Sequence, residues 1–398
     1  MADSEAEDTL APLVRQRRAS YAVGVTATTS NPKITYPASR HTAANVFLWL
    51  CIAAALAVWS PESLGEDTSI DGSEARNWTL NLYIENDLFA QTDRDYTNGI
   101  RISVVSPDLV DYIEDETLPA WVRGINRKLT FFRDDPKEAL QRNLVLSLGQ
   151  TIFTPRDREA TALVKDDRPY AGWLFARAGY QTRSELQMDS LEISIGVVGP
   201  AALGQESQDL VHDLRGFERF EGWDNQLDNE LGFNILWEEK RKARFFENSN
   251  SRFAMDMIGH AGIALGNVAT YTNIGAELRL GWSIPDDFGT ASLRPGGDNS
   301  TPDVNWSRRN TDRDWGLHGF VSFDTRLVAR NIFLDGNSFE NSHSVDREPV
   351  VADAAVGLSM YYRGARLSYA QIFRSREFDT QGETHSYGSL ALSYILKF

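Results

Sequence analysis

"SLALSYILKF", residues 389–398, closes the chain and carries the reading on which the fold depends. Leu390, Leu392, Tyr394, Leu396 and Phe398 form one row, while Ser389, Ala391, Ser393 and Lys397 form most of the other. Side chains repeating every second residue stand on opposite faces of a β-strand. A soluble sandwich turns such an apolar row to its core. A barrel in lipid turns it outward and keeps small or polar residues inside.

The same period runs upstream. Leu191, Ile193, Ile195 and Val197 alternate with Glu192, Ser194 and Gly196. Ile274, Ala276, Leu278, Leu280 and Trp282 alternate with Gly275, Glu277, Arg279 and Gly281. Strands of roughly 10–14 residues suit a tilted membrane span. Aromatics cluster at strand ends (Trp78, Tyr96, Tyr170, Trp173, Tyr271, Trp282, Trp315, Tyr361, Tyr362), as an interfacial girdle requires. The terminal Phe398 resembles the assembly signal of bacterial outer-membrane barrels, which makes the barrel assembly machinery an expected partner.

These features predict an all-β fold, a twelve-stranded antiparallel transmembrane β-barrel. Its strands fall near 78–88, 96–106, 142–153, 170–183, 187–199, 228–240, 252–264, 271–284, 315–329, 350–362, 364–377 and 385–398. An even strand number keeps both ends in the periplasm, so the connections after the odd strands are extracellular. The tight "YYRGAR" turn then falls on the periplasmic side, but so do two long connections, 107–141 and 285–314. "LPAWVRGINRKL" in the first of these predicts a small helix.

The formal charge of −16 over 398 residues gives no general attraction to nucleic acid. A mean hydropathy of −0.37 is too low for a multi-span helical membrane protein. The single Cys51 excludes a disulfide framework. It lies in the one long apolar run, "AANVFLWLCIAAALAVW" (43–59), with a small-x-small site at Ala55–Ala57. That run reads as the core of an export signal, with an uncleaved anchor as the alternative. The expected organisation is a leader over 1–57, a linker over 58–76 and a barrel over 77–398.

"NLYIENDLFAQTDRDYTNG" (81–99) breaks the alternation, because Asn86 stands where the outward row of the first strand calls for an apolar residue. A polar amide on the lipid side is costly unless it is covered. "GQESQDLVHDLRGFERFEGW" (204–223) supplies a candidate cover, with Leu210, Leu214 and Phe217 at helical spacing and His212 away from that row. Packed on the outer wall, this helix brings His212 toward Asn86 and Asp87, in a cleft open to lipid. Thr97 has the wrong parity to share that face unless the second strand carries a bulge or Thr97 precedes the strand.

"ENDLFAQTDRDYTNG", "DDRPYAGW" (166–173), "GVVGP" with "GQESQ", and "HDLRGFERFEGWDNQLDNELG" (212–232) together resemble the lipid A 3-O-deacylase family, in the family's order. The resemblance covers about residues 77–398. It implies an outer-membrane enzyme of a Gram-negative bacterium that hydrolyses the 3′-linked acyloxyacyl group of lipid A, with calcium, as a monomer. Asn86, Asp87, Thr97, His212 and Glu218 match the family's active-site positions. By that resemblance His212 is the general base and Asp87 the carboxylate for Ca²⁺. The family's lysine after the third strand has no counterpart in "TPRDREATALVKDDRPY", where Arg156, Arg158 and Lys165 are the alternatives. An outer-membrane phospholipase and a non-catalytic pore or scaffold are the competing readings, although no G-x-S-x-G motif occurs.

Overall fold

In lipid a strand can satisfy its backbone only through neighbours, and an open sheet edge is not tolerated, so a transmembrane sheet must close. The computed structural model describes residues 78–86, 95–128, 140–248, 252–290 and 315–396 of the chain, without the side chains of 95–97. Its twelve strands close into one antiparallel barrel. They are β1 (Trp78–Asn86), β2 (Asp95–Val105), β3 (Gln141–Thr154), β4 (Ala171–Arg183), β5 (Gln187–Val198) and β6 (Glu230–Glu247). The second half comprises β7 (Phe253–Gly266), β8 (Ala269–Trp282), β9 (Trp315–Asn331), β10 (Val350–Tyr362), β11 (Ala365–Arg374) and β12 (His385–Leu396). The closing strand is the stretch quoted first. β12 pairs with β1 from Trp78↔Leu396 to Asn86↔Gly388. The proposed leader, the linker and Phe398 lie outside the described residues.

The apolar rows face outward, as expected. Thr79, Asn81, Tyr83 and Glu85 of β1 are buried in the lumen, and Leu80, Leu82 and Ile84 take the other face. Ile195, Ile235, Ile274, Val321 and Leu358 lie exposed on the outer wall. Three of the expected girdle aromatics do not belong there. Trp173 and Tyr271 line the lumen, and Tyr170 is buried under an external loop. Proximity to a strand end does not by itself say which face a ring takes. β6 and β9 also exceed the expected length, at 18 and 17 residues.

Both chain ends of the barrel share one rim, called here the terminal end; the opposite rim is the outer mouth. At the terminal end, Arg363 and Gly364 take left-handed conformations and make the expected tight turn between β10 and β11. The first long connection contains α1 (Ala120–Asn126), as predicted, and packs on the outside of β3 and β4. The described part of the second long connection, 283–290, turns inward. Asp287 is fully buried between Arg279 and Arg366, and Phe288 packs with Met188 and Ile258 beneath Lys242, whose Nζ lies 4.5 Å from the ring centre. The outer mouth is filled by α3 (Ile332–Asp335), where Phe333 stacks on Phe153 with ring centres 4.2 Å apart. Between these plugs lies a cavity of about 130 Å³, lined by Trp173, Phe175 and Tyr271 on one side and by Arg177, Arg326 and Arg374 among its charged groups.

Candidate active site on the outer wall

The connection after β5 builds an external lid. A 3₁₀ turn over Pro200–Ala202 leads into α2 (Gly204–Arg215). Its seat is Gly172 at the start of β4, where a Cβ would come within 3.2 Å of both Ala202 Cβ and Gly204 Cα. The Gln150 side chain of β3 donates from Nε2 to the carbonyl oxygens of Ala202, at 2.6 Å, and Leu203, at 3.1 Å. These bonds satisfy an outward polar group on the wall by giving it to the lid, in place of lipid. The buried residues of α2 are Gly204, Gln208 and His212, one helical turn apart, whereas Leu210 and Leu214 are exposed. The apolar row thus looks away from the barrel and the polar row looks toward it.

α2 ends at Gly216, whose φ of 71° in the left-handed region lets the chain reverse. The reversal carries the Glu218 carbonyl oxygen back to His212 Nδ1 at 2.5 Å. A carbonyl oxygen only accepts, so Nδ1 carries a proton, and in the neutral form of the ring the lone pair is on Nε2. Rings of Phe217 and Phe220 flank the imidazole edge-on, with centres 6.0 and 5.7 Å away. His212 is 2% exposed, and among the described residues Nε2 has no hydrogen-bond partner.

Glu218 acts through its backbone. Its carboxylate is largely exposed and lies 3.7 Å from Arg158. Glu218 lies beyond the turn at Gly216 and so is not on the helix that carries His212. Of the three basic alternatives, Arg158 is the one tied to this loop, through Glu218 and through its own carbonyl oxygen, which accepts from Glu221 N at 2.9 Å. Arg156 turns toward the connection after β11, with Nη2 3.4 Å from Glu383 O. Lys165 is exposed on the same loop.

Asn86 is at the tip of β1 and faces outward. It pairs with Asn98 of β2, which pairs with Ile152 of β3, which pairs with Gly172 of β4 under the lid. Two interstrand spacings, about 10 Å, therefore separate the Asn86 and Ile152 backbones along one outward row. The sheet irregularity between Tyr96 and Asn98 falls on Thr97, the position where parity called for a bulge or a place before the strand. Asp87 and the Thr97 side chain lie outside the described residues. The described oxygen donors here are the neutral amides of Asn86 and Asn98. Their hardness suits a cation such as Ca²⁺, yet no group of three His, Cys, Asp or Glu side chains forms a metal cluster among the described residues.

Three residues were missed in the sequence. Trp223 Nε1 donates to Gln208 Oε1 at 3.1 Å. An indole only donates, so this bond fixes which way the Gln208 amide points. Gln208 Nε2 is buried with no partner among the described residues, one turn from His212. Tyr170 packs with Ile152, Phe220 and Trp223 under the loop. Burial, with added repulsion from Asp157, Asp167 and Glu221, pushes its phenol up to about 12. The only signal for the first two was their place on the helix's polar row and in the turn that follows it.

The family model described as "Outer membrane protein LpxR" matches residues 46–396. Among solved structures, LpxR from Salmonella typhimurium superposes with a TM-score of 0.62 at 20% identity, covering 79% of this chain and 99% of that one. The β-domain of the Bordetella autotransporter BrkA covers 81% of this chain and 100% of its own at 9% identity, with a TM-score of only 0.39. No curated protein sequence matches this chain. The profile spans most of the sequence and the closed barrel agrees with it: the chain belongs to the LpxR family of outer-membrane proteins.

Proposed function

We propose that the protein is a lipid A 3-O-deacylase, an esterase that removes the 3′-linked acyloxyacyl group in the outer leaflet. The observation that carries this reading is His212, buried on the wall-facing side of the external helix α2 with Nδ1 bonded to the Glu218 carbonyl oxygen. In the proposed reaction Nε2 takes a proton from water as that water attacks the ester carbonyl. The proton then passes to the leaving 3-hydroxyl oxygen as the tetrahedral intermediate collapses. The unpartnered Gln208 Nε2 donates to the carbonyl oxygen as it gains charge. Arg158, on the rim of the lid loop, attracts an anionic head group.

The proposal includes Ca²⁺, held by the Asp87 carboxylate with oxygen from Asn86 and the Thr97 segment. When bound, the cation polarises the ester carbonyl. Activity that survives thorough EGTA treatment removes it from the reading.

Mass spectrometry of lipid A from expressing cells tests the function. The expected result is loss of the acyloxyacyl mass, absent in His212→Ala with the barrel still assembled. Unchanged lipid A with released phospholipid fatty acids assigns a phospholipase instead. No lipid change at all leaves a scaffold.

A further inference from the structure

The connection between β2 and β3 forms an external foot over residues 106–128. Leu109, Tyr112, Leu118 and Val122 pack against Leu144 and Tyr180, which belong to the outward rows of β3 and β4. Its polar groups are spent on the wall and on each other. Tyr112 Oη donates to Gln181 O at 2.7 Å, Tyr180 Oη donates to Asn126 Oδ1 at 2.7 Å, and Asn126 Nδ2 donates to Tyr112 O at 2.7 Å. A segment fixed this way is part of the wall's outer surface and not a tail in water.

Its exposed residues include three large apolar side chains besides the charged Asp108, Glu114, Glu116, Arg127 and Lys128. Val110, Trp121 and Ile125 are 72, 56 and 50% exposed. Around the rest of the terminal end, exposed aromatics close the lipid-facing rows: Trp282, Trp315, Tyr362 and Tyr394 all lie within three residues of their strand ends. On β4 that place is held by Tyr180, which is only 6% exposed because the foot covers it. Trp121 on α1 supplies the missing outward ring. An amphipathic helix with Trp on its apolar face belongs at a headgroup boundary.

We propose that this foot lies in the phospholipid leaflet at the terminal end, with Val110, Trp121 and Ile125 inserted at the boundary between head groups and chains. The occupant of this face is lipid, because the patch continues the barrel's lipid-facing surface around a gap in its aromatic ring. The foot and the α2 lid stand on the same two strands, β3 and β4, at opposite ends. The foot therefore sets the depth at which that sector of wall, and the lid on it, meets the two membrane surfaces.

Spin labels test the placement in full-length protein reconstituted in phosphatidylcholine bilayers, with Cys51 replaced by Ser. Labels go on Ile125→Cys in the foot, Leu358→Cys on the mid-wall of β10 and Glu116→Cys on the foot's exposed polar edge. The expected result is an oxygen-over-nickel-chelate accessibility ratio at Ile125 several-fold above that at Glu116 and approaching that at Leu358. Ratios at Ile125 and Glu116 that agree put the foot in water and overturn the proposal. Quenching by brominated-chain phosphatidylcholine gives a second reading, with a component in the wild type that Trp121→Tyr loses. Identical quenching in the two proteins also overturns it.

Discussion

The His212 ring is held by one backbone oxygen, and the Gln208 amide beside it is held by one indole. Each of these bonds settles a chemical ambiguity: which imidazole nitrogen is basic, and which end of the amide donates. Trp223→Phe keeps the aromatic packing and frees the amide, at a cost of about 1 kcal/mol for the lost bond. The expected outcome in a lipid A deacylation assay is a clear fall in rate. Gln208→Leu removes the donor and is expected to lower the rate further, by about 100-fold or more, without loss of barrel. Elsewhere a buried ion pair, Arg168 to Glu377 at 2.7 Å, joins the loops after β3 and β11. Burial raises the Glu377 carboxyl, but Arg168, Arg374 and Arg326 outweigh it and hold the group at about 2. A carboxylate depressed in the folded state adds stability above its ordinary range, near 4.5, and loses it as pH falls toward 2. Glu377→Ala leaves Arg168 charged and buried, which costs about 3–5 kcal/mol. Thermal melting in detergent is expected to show that loss at neutral pH, with the gap from wild type closing as the pH approaches 2.

At the scale of elements, the lid depends on the absence of a side chain at Gly172. Gly172→Val drives two methyl groups into the start of α2, a strain of about 1–3 kcal/mol, which the helix relieves by lifting off the wall. Heat-modified mobility on gels is expected to report an intact barrel, while lipid A deacylation falls; full activity in this variant would detach the lid from function. Much of this element was legible in the sequence. Leu210 and Leu214 at helical spacing gave the helix, but not that its polar row, with Gln208 and His212, is the buried one. The role of Glu218 was not legible. Its contribution comes from a carbonyl oxygen brought back by a left-handed Gly216, and sequence patterns record side chains, not the path of the main chain. Thr97 shows the reverse case. Parity in β2 called for a bulge at that position or a place before the strand, and the register of β2 against β3 shifts between Tyr96 and Asn98.

For the whole molecule, period two in β12 and its fellows foretold a closed barrel with apolar rows outward. Trp173 and Tyr271 were misassigned because an aromatic at a strand end fits the girdle and the lumen equally well until registers are known. The helix in the first long terminal-end connection was legible, but where either connection packs was not, since their partners are distant strands: one packs on the outer wall and the other enters the lumen at Asp287 and Phe288. With α3 at the opposite mouth, the described interior is filled at both ends. Planar-bilayer recording is therefore expected to show no steady conductance, and ohmic channels from the pure protein would restore the pore reading.

The account rests on a lipid-side ester cleft in which His212 is the base. Lipid A from cells producing the wild-type protein or His212→Ala, with equal amounts of assembled barrel, is the most direct comparison. The wild type is expected to yield lipid A lacking its 3′-linked acyloxyacyl group, and the variant to lower that conversion by about 100-fold or more. Equal conversion by both proteins, or none by either, would contradict it.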